Sequence, residues 1–401
     1  MDENIIPYGK QNITEDDILA VISALKGDYL TQGPTILEFE LEFSKYIGCK
    51  YSVAVSNGTA ALHLAALSLQ IKPGDKVITT PITFAASANC IRYCGGEVVF
   101  SDIDPITYLL DLDKVEELLN LSPKGTYTGI IAVDFAGKAI DLERLRRIAN
   151  EFDCWIIEDA CHAPGGFFID SNGYHQNCGN GKFADLSVFS FHPVKHIATG
   201  EGGMITTNDQ QLYFKLLELR SHGITRNSNK FENSIEFANG SCLGEKNDFP
   251  GWYMEMQHLG FNYRFTDFQA ALGISQLKRA NIGLIKRKNI AKAYFEAFQN
   301  KSYILGQSGI DIGHAYHLYI IEVIDRRGLY DFLKTKGIHA QIHYIPCHLM
   351  PYYKNLTMEM PQTILDKSEN YYSKCISLPI FPTLSLNEVD YVIAQVNRFY
   401  E

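Results

Sequence analysis

The chain carries no surplus of positive charge. Lys and Arg number 36 against 46 Asp and Glu, a formal charge of −10 over 401 residues. That is the wrong sign for a surface that binds phosphate backbones by releasing counterions, so nucleic acid is excluded as a main partner. No apolar stretch approaches the roughly 20 residues that a membrane span needs, and Met1-Asp2-Glu3-Asn4 is acidic where a secretory signal is basic. A cytoplasmic protein without a membrane partner is expected. The nine cysteines, at 49, 90, 94, 154, 161, 178, 242, 347 and 375, contain no C-x-x-C pair. Their odd number reads as reduced structural thiols. A metal set drawn from Cys154, Cys161, His162 and Cys178 matches no zinc spacing, so no metal is expected. Repeats and low-complexity segments are absent, which leaves solenoids and linkers out of the account. Nucleotide-phosphate motifs are missing too. Gly181-Lys182 is followed by Phe183, with Gln176 where a Walker glycine should stand, and Gly200, Gly202 and Gly203 do not make G-x-G-x-x-G.

What is present is a globular composition, 46% hydrophobic and 20% charged, on a chain long enough for two to three units at about 150 residues each. Short apolar runs at 51–55, 76–80, 97–100, 129–135, 155–157, 186–191 and 204–207 read as strands, several buried on both faces. Helical patterns at 60–69, 113–119, 142–152 and 211–221 lie between them. This alternation predicts an α/β domain with a mostly parallel sheet. After a polar stretch at 222–248, Thr266 and Gln269 form a capping box ahead of a helix at 268–277. The tail reads as a strand at 316–323, a helix near 329–336, a segment at 339–345 and a last helix capped by Ser385 and Glu388. That helix places Val389, Val392, Ile393, Val396 and Phe399 on one face. The expected organisation is a large α/β domain with an N-terminal arm over 1–260 and a smaller α+β domain over 261–401.

Ligands of open α/β sheets bind outside the carboxyl ends of the strands, so polar residues just after apolar runs carry the chemistry. Ser56-Asn57-Gly58-Thr59 leads from a strand into a helix and could cradle an anion, although it also fits an ordinary capped turn. Glu158 and Asp159 close the run 155–157. Buried acids need a cation or donors, so at least one should face a ligand unless both are solvated at a helix start. Lys195 follows Ser190-Phe191-His192-Pro193-Val194 in a constrained loop; such an amine can form an imine, although most lysines are solvated charges. Together the cradle, the acid and the lysine are the parts needed to hold pyridoxal phosphate.

The order of these motifs also resembles a known family. Asn57-Gly58-Thr59-Ala60-Ala61-Leu62, Glu158-Asp159-Ala160-Cys161-His162-Ala163, Ser190-Phe191-His192 with Lys195, Gly200-Glu201-Gly202-Gly203 and Gly260-Phe261-Asn262-Tyr263-Arg264 are similar to the DegT/DnrJ/StrS nucleotide-sugar aminotransferases. The resemblance runs from about Ile6 to the C-terminus. It implies the aspartate aminotransferase type (fold type I) of pyridoxal-phosphate-dependent transferase, working as a homodimer. Lys195 would bond the cofactor's aldehyde and Asp159 would pair with its ring nitrogen. His162 would stand near the phenolic oxygen, and Phe84, in Thr83-Phe84-Ala85-Ala86, would stack on the ring. Gly58, Thr59 and Ser190 would bind the phosphate, with Asn262 reaching in from a second subunit and Arg264 beside it.

Within the family, Ile6-Pro7-Tyr8-Gly9-Lys10-Gln11, Tyr29-Leu30-Thr31-Gln32-Gly33-Pro34, Glu255-Met256-Gln257 and His343-Tyr344-Ile345-Pro346 are most similar to the branch that serves pseudaminic acid biosynthesis. This implies amino transfer from L-glutamate to C4 of a UDP-linked 4-keto-6-deoxy-N-acetyl-hexosamine. Asp134 and Lys138 stand where the family commonly shows His and Gln; if they touch substrate, another nucleotide-linked keto sugar is the alternative. A dehydratase of the same fold would lack Lys195, and a cofactor-binding regulator without turnover would need a basic DNA-binding module that is not evident.

Overall fold

The apolar runs become one seven-stranded sheet in the computed structural model, which describes residues 5–240, 248–357 and 364–401. In chain order the strands are β1 (Tyr51–Val55), β2 (Lys76–Thr79), β3 (Glu97–Phe100), β4 (Tyr127–Val133), β5 (Trp155–Asp159), β6 (Leu186–Ser190) and β7 (Gly203–Thr207). Side by side they run β1-β7-β6-β5-β4-β2-β3. β7 is antiparallel to both neighbours, and all other pairs are parallel. The central strands are buried on both faces, which is why they read as continuous Val, Ile and Phe rather than as an alternation. Both covering layers are apolar. Val53, Leu64, Ile157 and Leu216 belong to one core, and Ile130, Val115, Leu145 and Ile156 to another.

This topology gathers the functional loops. The chain leaves β1, β5 and β6 at the same edge, and β7 starts there, with Gly203 opposite both Val55 and Ser190. Gly203 sits so close to the turn after β1 that an added Cβ would lie 2.5 Å from the Asn57 carbonyl oxygen. Only glycine lets β7 begin against that turn.

The C-terminal part is built on an antiparallel sheet of β8 (Ile304–Gln307), β9 (Tyr319–Val323) and β10 (Cys375–Leu378). The helices Ala280–Phe298, Arg326–Thr335 and Leu386–Tyr400 enclose its core. Both expected capping boxes form, and Val389, Val392 and Val396 are fully buried. The expected element at 339–345 shrinks to Ile338–His339, which pairs in parallel with Ile6–Pro7. The N-terminal arm is thus woven into the C-terminal part. Conversely, the helix Asp267–Leu277 packs on the helices Glu15–Leu25 and Pro34–Ile47 near the N-terminus, with Gly273 pressed against the Phe39 ring. Asp267 is buried and accepts the N–H groups of Gly33 and Thr35, which fixes the turn ahead of Pro34–Ile47. Eight cysteines are free thiols, and Cys242 lies outside the described residues.

Candidate active site

At the carboxyl edge of the sheet the loops surround a cavity of about 680 Å³, lined by Gly58, Thr59, Phe84, Asp159, His162, Ser190 and Lys195 among others. These residues lie as far as 137 positions apart in the chain, from Gly58 to Lys195, and the strand order of the sheet brings their loops together.

The anion cradle is the start of the helix Gly58–Ser68. Asn57 caps it by accepting the N–H of Ala60 at 2.8 Å, which leaves the first turn to offer N–H donors toward the cavity. Gly58 packs so tightly on the end of β6 that a Cβ there would lie 3.0 Å from Ser190 Cβ. Any side chain would fill the space where an anion meets both the helix start and the Ser190 hydroxyl.

Asp159 ends β5 and is 5% exposed. It accepts from the Ser87 hydroxyl at 2.7 Å and the Cys161 N–H at 3.2 Å, and no ion pair engages it among the described residues. A buried carboxylate facing a cavity without its own cation fits a ligand that brings a protonated nitrogen. Ser87 is in turn held by Thr83 at 2.8 Å. Phe84, between them in sequence, leaves 63% of its surface open at the cavity, with the Tyr344 ring 6.3 Å away. That open face suits a stacked aromatic ring. The buried acid, the glycine cradle and the exposed ring together match the nitrogen, phosphate and ring of pyridoxal phosphate.

Lys195 lies in the loop after β6, its backbone N–H bonded to the His192 carbonyl at 2.9 Å. Burial pushes its amine down to about 8 from the usual 10.5, with Arg287 acting the same way and Cys161 and Asp159 opposing. The neutral, nucleophilic form is therefore accessible near physiological pH. His162 accepts the Ala136 N–H at Nδ1, so its neutral ring carries a proton on Nε2, 3.3 Å from the Tyr344 hydroxyl. Burial, reinforced by the charge of Lys195, keeps His162 far below the usual imidazole range. It is a donor from Nε2 rather than a cation.

Asn262 and Arg264 do not line this cavity, whereas Tyr263 does. The stretch is extended, Asn262 bridging to Ser221 and Arg264 to Val55. Alternate side chains of an extended chain point to opposite sides, so facing Tyr263 inward turns its two neighbours away. Asp134 and Lys138 also stand outside the lining. Asp134 is fully buried and accepts the Ile140 N–H at 3.0 Å, while Lys138 pairs with Asp311 at 3.1 Å. Of the four residues considered as a metal set, only Cys178 joins a ligand-type cluster among the described residues, and its companions are Asp134 and Glu158.

Sequence reasoning missed three contributors. Ser87 carries a signal in its spacing of four from Thr83 across a helix start. Tyr344 was visible in a motif but without a role. His317 was hidden at the start of an apolar run read as a strand.

Comparison with known proteins agrees with this geometry. The sequence pattern of the DegT/DnrJ/EryC1/StrS aminotransferase family matches residues 11–397. The chain is 34% identical to the spore coat polysaccharide biosynthesis protein SpsC of Bacillus subtilis, covering 98% of this chain and 96% of the other. It is 34% identical to a UDP-4-amino-4,6-dideoxy-N-acetyl-β-L-altrosamine transaminase of Campylobacter jejuni, covering 97% and 96%. Among solved structures it is similar to Helicobacter pylori PseC, an aminotransferase of pseudaminic acid biosynthesis, with a TM-score of 0.83 at 29% identity over 99% of each chain. The chain belongs to the DegT/DnrJ/EryC1/StrS family of pyridoxal-phosphate-dependent nucleotide-sugar aminotransferases.

Proposed function

We propose that the protein moves an amino group from L-glutamate to C4 of a UDP-linked 4-keto-6-deoxy-N-acetyl-hexosamine, as in pseudaminic acid biosynthesis. The observation that carries this reading is the near-full-length similarity to a transaminase named for that product, joined to the position of His343 and Tyr344 in the cavity lining. A second reading, another nucleotide-linked keto sugar, is favoured by the equal identity to SpsC. Against it, the two departures from the family pattern, Asp134 and Lys138, are outside the cavity.

In this reading pyridoxal phosphate supplies an aldehyde that bonds amines and a ring that accepts an electron pair from the adjoining carbon. Lys195 would be the residue that holds the aldehyde carbon, and its Nζ, once free, would take and return a proton. Asp159 would keep the ring nitrogen protonated. The N–H groups of Gly58 and Thr59 and the Ser190 hydroxyl would hold the phosphate, Phe84 would offer its open face to the ring, and His162 would be the donor available to the phenolic oxygen.

The reading includes a homodimer with shared sites, in which Asn262 and Arg264 serve the neighbouring subunit; their outward direction supports it. It also includes the division into 1–260 and 261–401 and a cytoplasmic setting, which the eight free thiols support. No helix of the described residues is long and apolar enough to cross a membrane.

Incubation with glutamate and a panel of UDP- and dTDP-linked keto sugars, with products solved by NMR, tests the substrate. Amination only of a dTDP sugar, or at another carbon, overturns it. Mixing Lys195→Ala with Asn262→Ala subunits tests the sharing: activity above either parent is expected, and no gain assigns Asn262 to its own subunit.

A further inference from the structure

The side chain bonded to the Lys195 amine comes from the far end of the chain. His317 Nε2 lies 3.3 Å from Lys195 Nζ, and its ring packs against His162 at 4.3 Å between centroids. The backbone around it is fastened on two sides. Ala315 N–H donates to the Gly137 carbonyl at 2.7 Å and Leu318 N–H to that of Ala136 at 3.1 Å, both in the loop after β4. From the helix Ala280–Phe298, Arg287 donates to the carbonyls of Tyr316, His317 and Ile380 at 3.3, 3.3 and 2.9 Å. This guanidinium is 1% exposed, and no carboxylate pairs with it among the described residues. A cation buried against carbonyls alone is unfavourable unless the geometry it imposes is needed. Tyr316 adopts a φ of 48°, a left-handed conformation that a bulky residue takes only where its surroundings over-determine it.

We propose that His317 is a positioning residue for the known reaction: its Nε2 accepts a hydrogen bond from the Lys195 amine and fixes the direction from which that amine takes and returns protons. The proposal rests on Lys195 being the lysine that bonds the cofactor. An acceptor ring must be neutral, and burial holds His317 well below the usual imidazole range. Lys195 and His196 from the loop after β6, His162 from the loop after β5 and Arg287 from the long helix all push the same way. With Nε2 accepting, the ring proton lies on Nδ1, which is buried without a partner among the described residues. Such an orphaned donor is uncommon in a core and calls for a functional reason.

The test begins with borohydride reduction of wild-type holoenzyme and peptide mapping, which examines the Lys195 assignment alone. Label at another lysine removes that assignment and the proposal with it. Label at Lys195 leaves the role of His317 to two variants. Glutamine at 317 sets an amide oxygen near the place of Nε2, whereas asparagine reaches only as far as Nδ1. His317→Asn is expected to slow single-turnover amine transfer from L-glutamate by about 10- to 100-fold, with KM little changed, because the base loses its orientation. It is also expected to lower the pH midpoint at which the apoprotein captures added pyridoxal phosphate, since the ammonium loses its acceptor. His317→Gln should restore both. Equal losses in the two variants, or wild-type values in both, overturn the proposal. If His317→Asn does not fold, His317→Leu, which cannot accept, takes its place: losses in His317→Leu that His317→Gln does not share uphold the acceptor, and equal behaviour of the two refutes it.

Discussion

Glu158 and Asp159 are consecutive, both buried and both acidic, yet they belong to different regions. The pleat of β5 sends them to opposite faces of the sheet. Asp159 meets the cavity, with Ser87 and Cys161 as its donors. Glu158 meets a buried cluster on the other face. It accepts from the Ser187 hydroxyl at 2.6 Å and the Gly179 N–H at 2.9 Å, and it lies against Asp134 and Cys178, all ligand-type atoms within 4.8 Å. Asp134 Oδ2 meets no donor at full hydrogen-bond geometry there; the Cys178 thiol lies beside the carboxyl, and a proton between the two acids would satisfy the oxygen. Burial raises both carboxyls, and the mutual repulsion of Asp134 and Glu158 adds to the rise at Asp134, so sharing a proton is the arrangement that satisfies both. Burial of an acid is therefore no mark of function by itself. What the acid faces decides.

The sharpest break of this comparison comes from removing the group opposite Asp159. Lys195→Ala is expected to hold the cofactor non-covalently, to lose borohydride fixation and to lower kcat by several orders of magnitude, because bond exchange and proton movement vanish together. Turnover within tenfold of wild type would dissolve the cavity's claim to the chemistry. Next in size is Asp159→Asn. A close opposite charge shifts a pKa by about 1 to 3 units, so its loss should cut kcat roughly 10- to 1000-fold in a protein that still folds. Glu158→Gln is the matched control on the other face. Its kcat per folded molecule should stay within about threefold, while thermal or denaturant unfolding shows a loss of about 1 to 3 kcal/mol from a disturbed buried network. If the two variants exchange these behaviours, the faces have been misassigned.

The sequence made the two acids visible but not their separation. Apolar runs located all seven strands of the large sheet, because a strand buried on both faces must be apolar throughout. Which strand was antiparallel was not legible, since β7 is as apolar as its parallel neighbours and differs only in the connection leading to it. The helices Glu15–Leu25 and Pro34–Ile47 went unread, although Ile18, Ile22 and Leu25 recur at helical spacing in the first; that stripe is exposed in the chain, and the helix buries only Asp17. In the site, Lys195, Asp159 and Gly58 stood out because each lies within a few residues after an apolar run. His317 did not, because a histidine at the start of a strand looks like any core imidazole until the fold sets Lys195 beside it. Asn262 and Arg264 were legible as a motif, but their direction depends on the side to which Tyr263 turns.

The smallest expected effect tests the shared proton itself. Asp134 and Glu158 have carboxyls raised above their unfolded values, so the native state binds more protons than the unfolded chain over the intervening pH range. The sign follows: the pair's stabilisation is complete below the ordinary carboxylate value and is lost as pH rises through the raised one. Glutamine at 158 does not titrate and can donate to an ionised Asp134. Denaturant unfolding of wild type and Glu158→Gln, run side by side from about pH 5 to 8, should therefore show a stability gap that narrows as pH rises. One proton limits the narrowing to about 1.4 kcal/mol per pH unit. A gap that widens with pH would mean that both acids are ionised at neutral pH. Two buried carboxylates beside a thiol would then need a bound cation between them, and the cluster would have to be read as a metal site instead of a hydrogen-bonded pair.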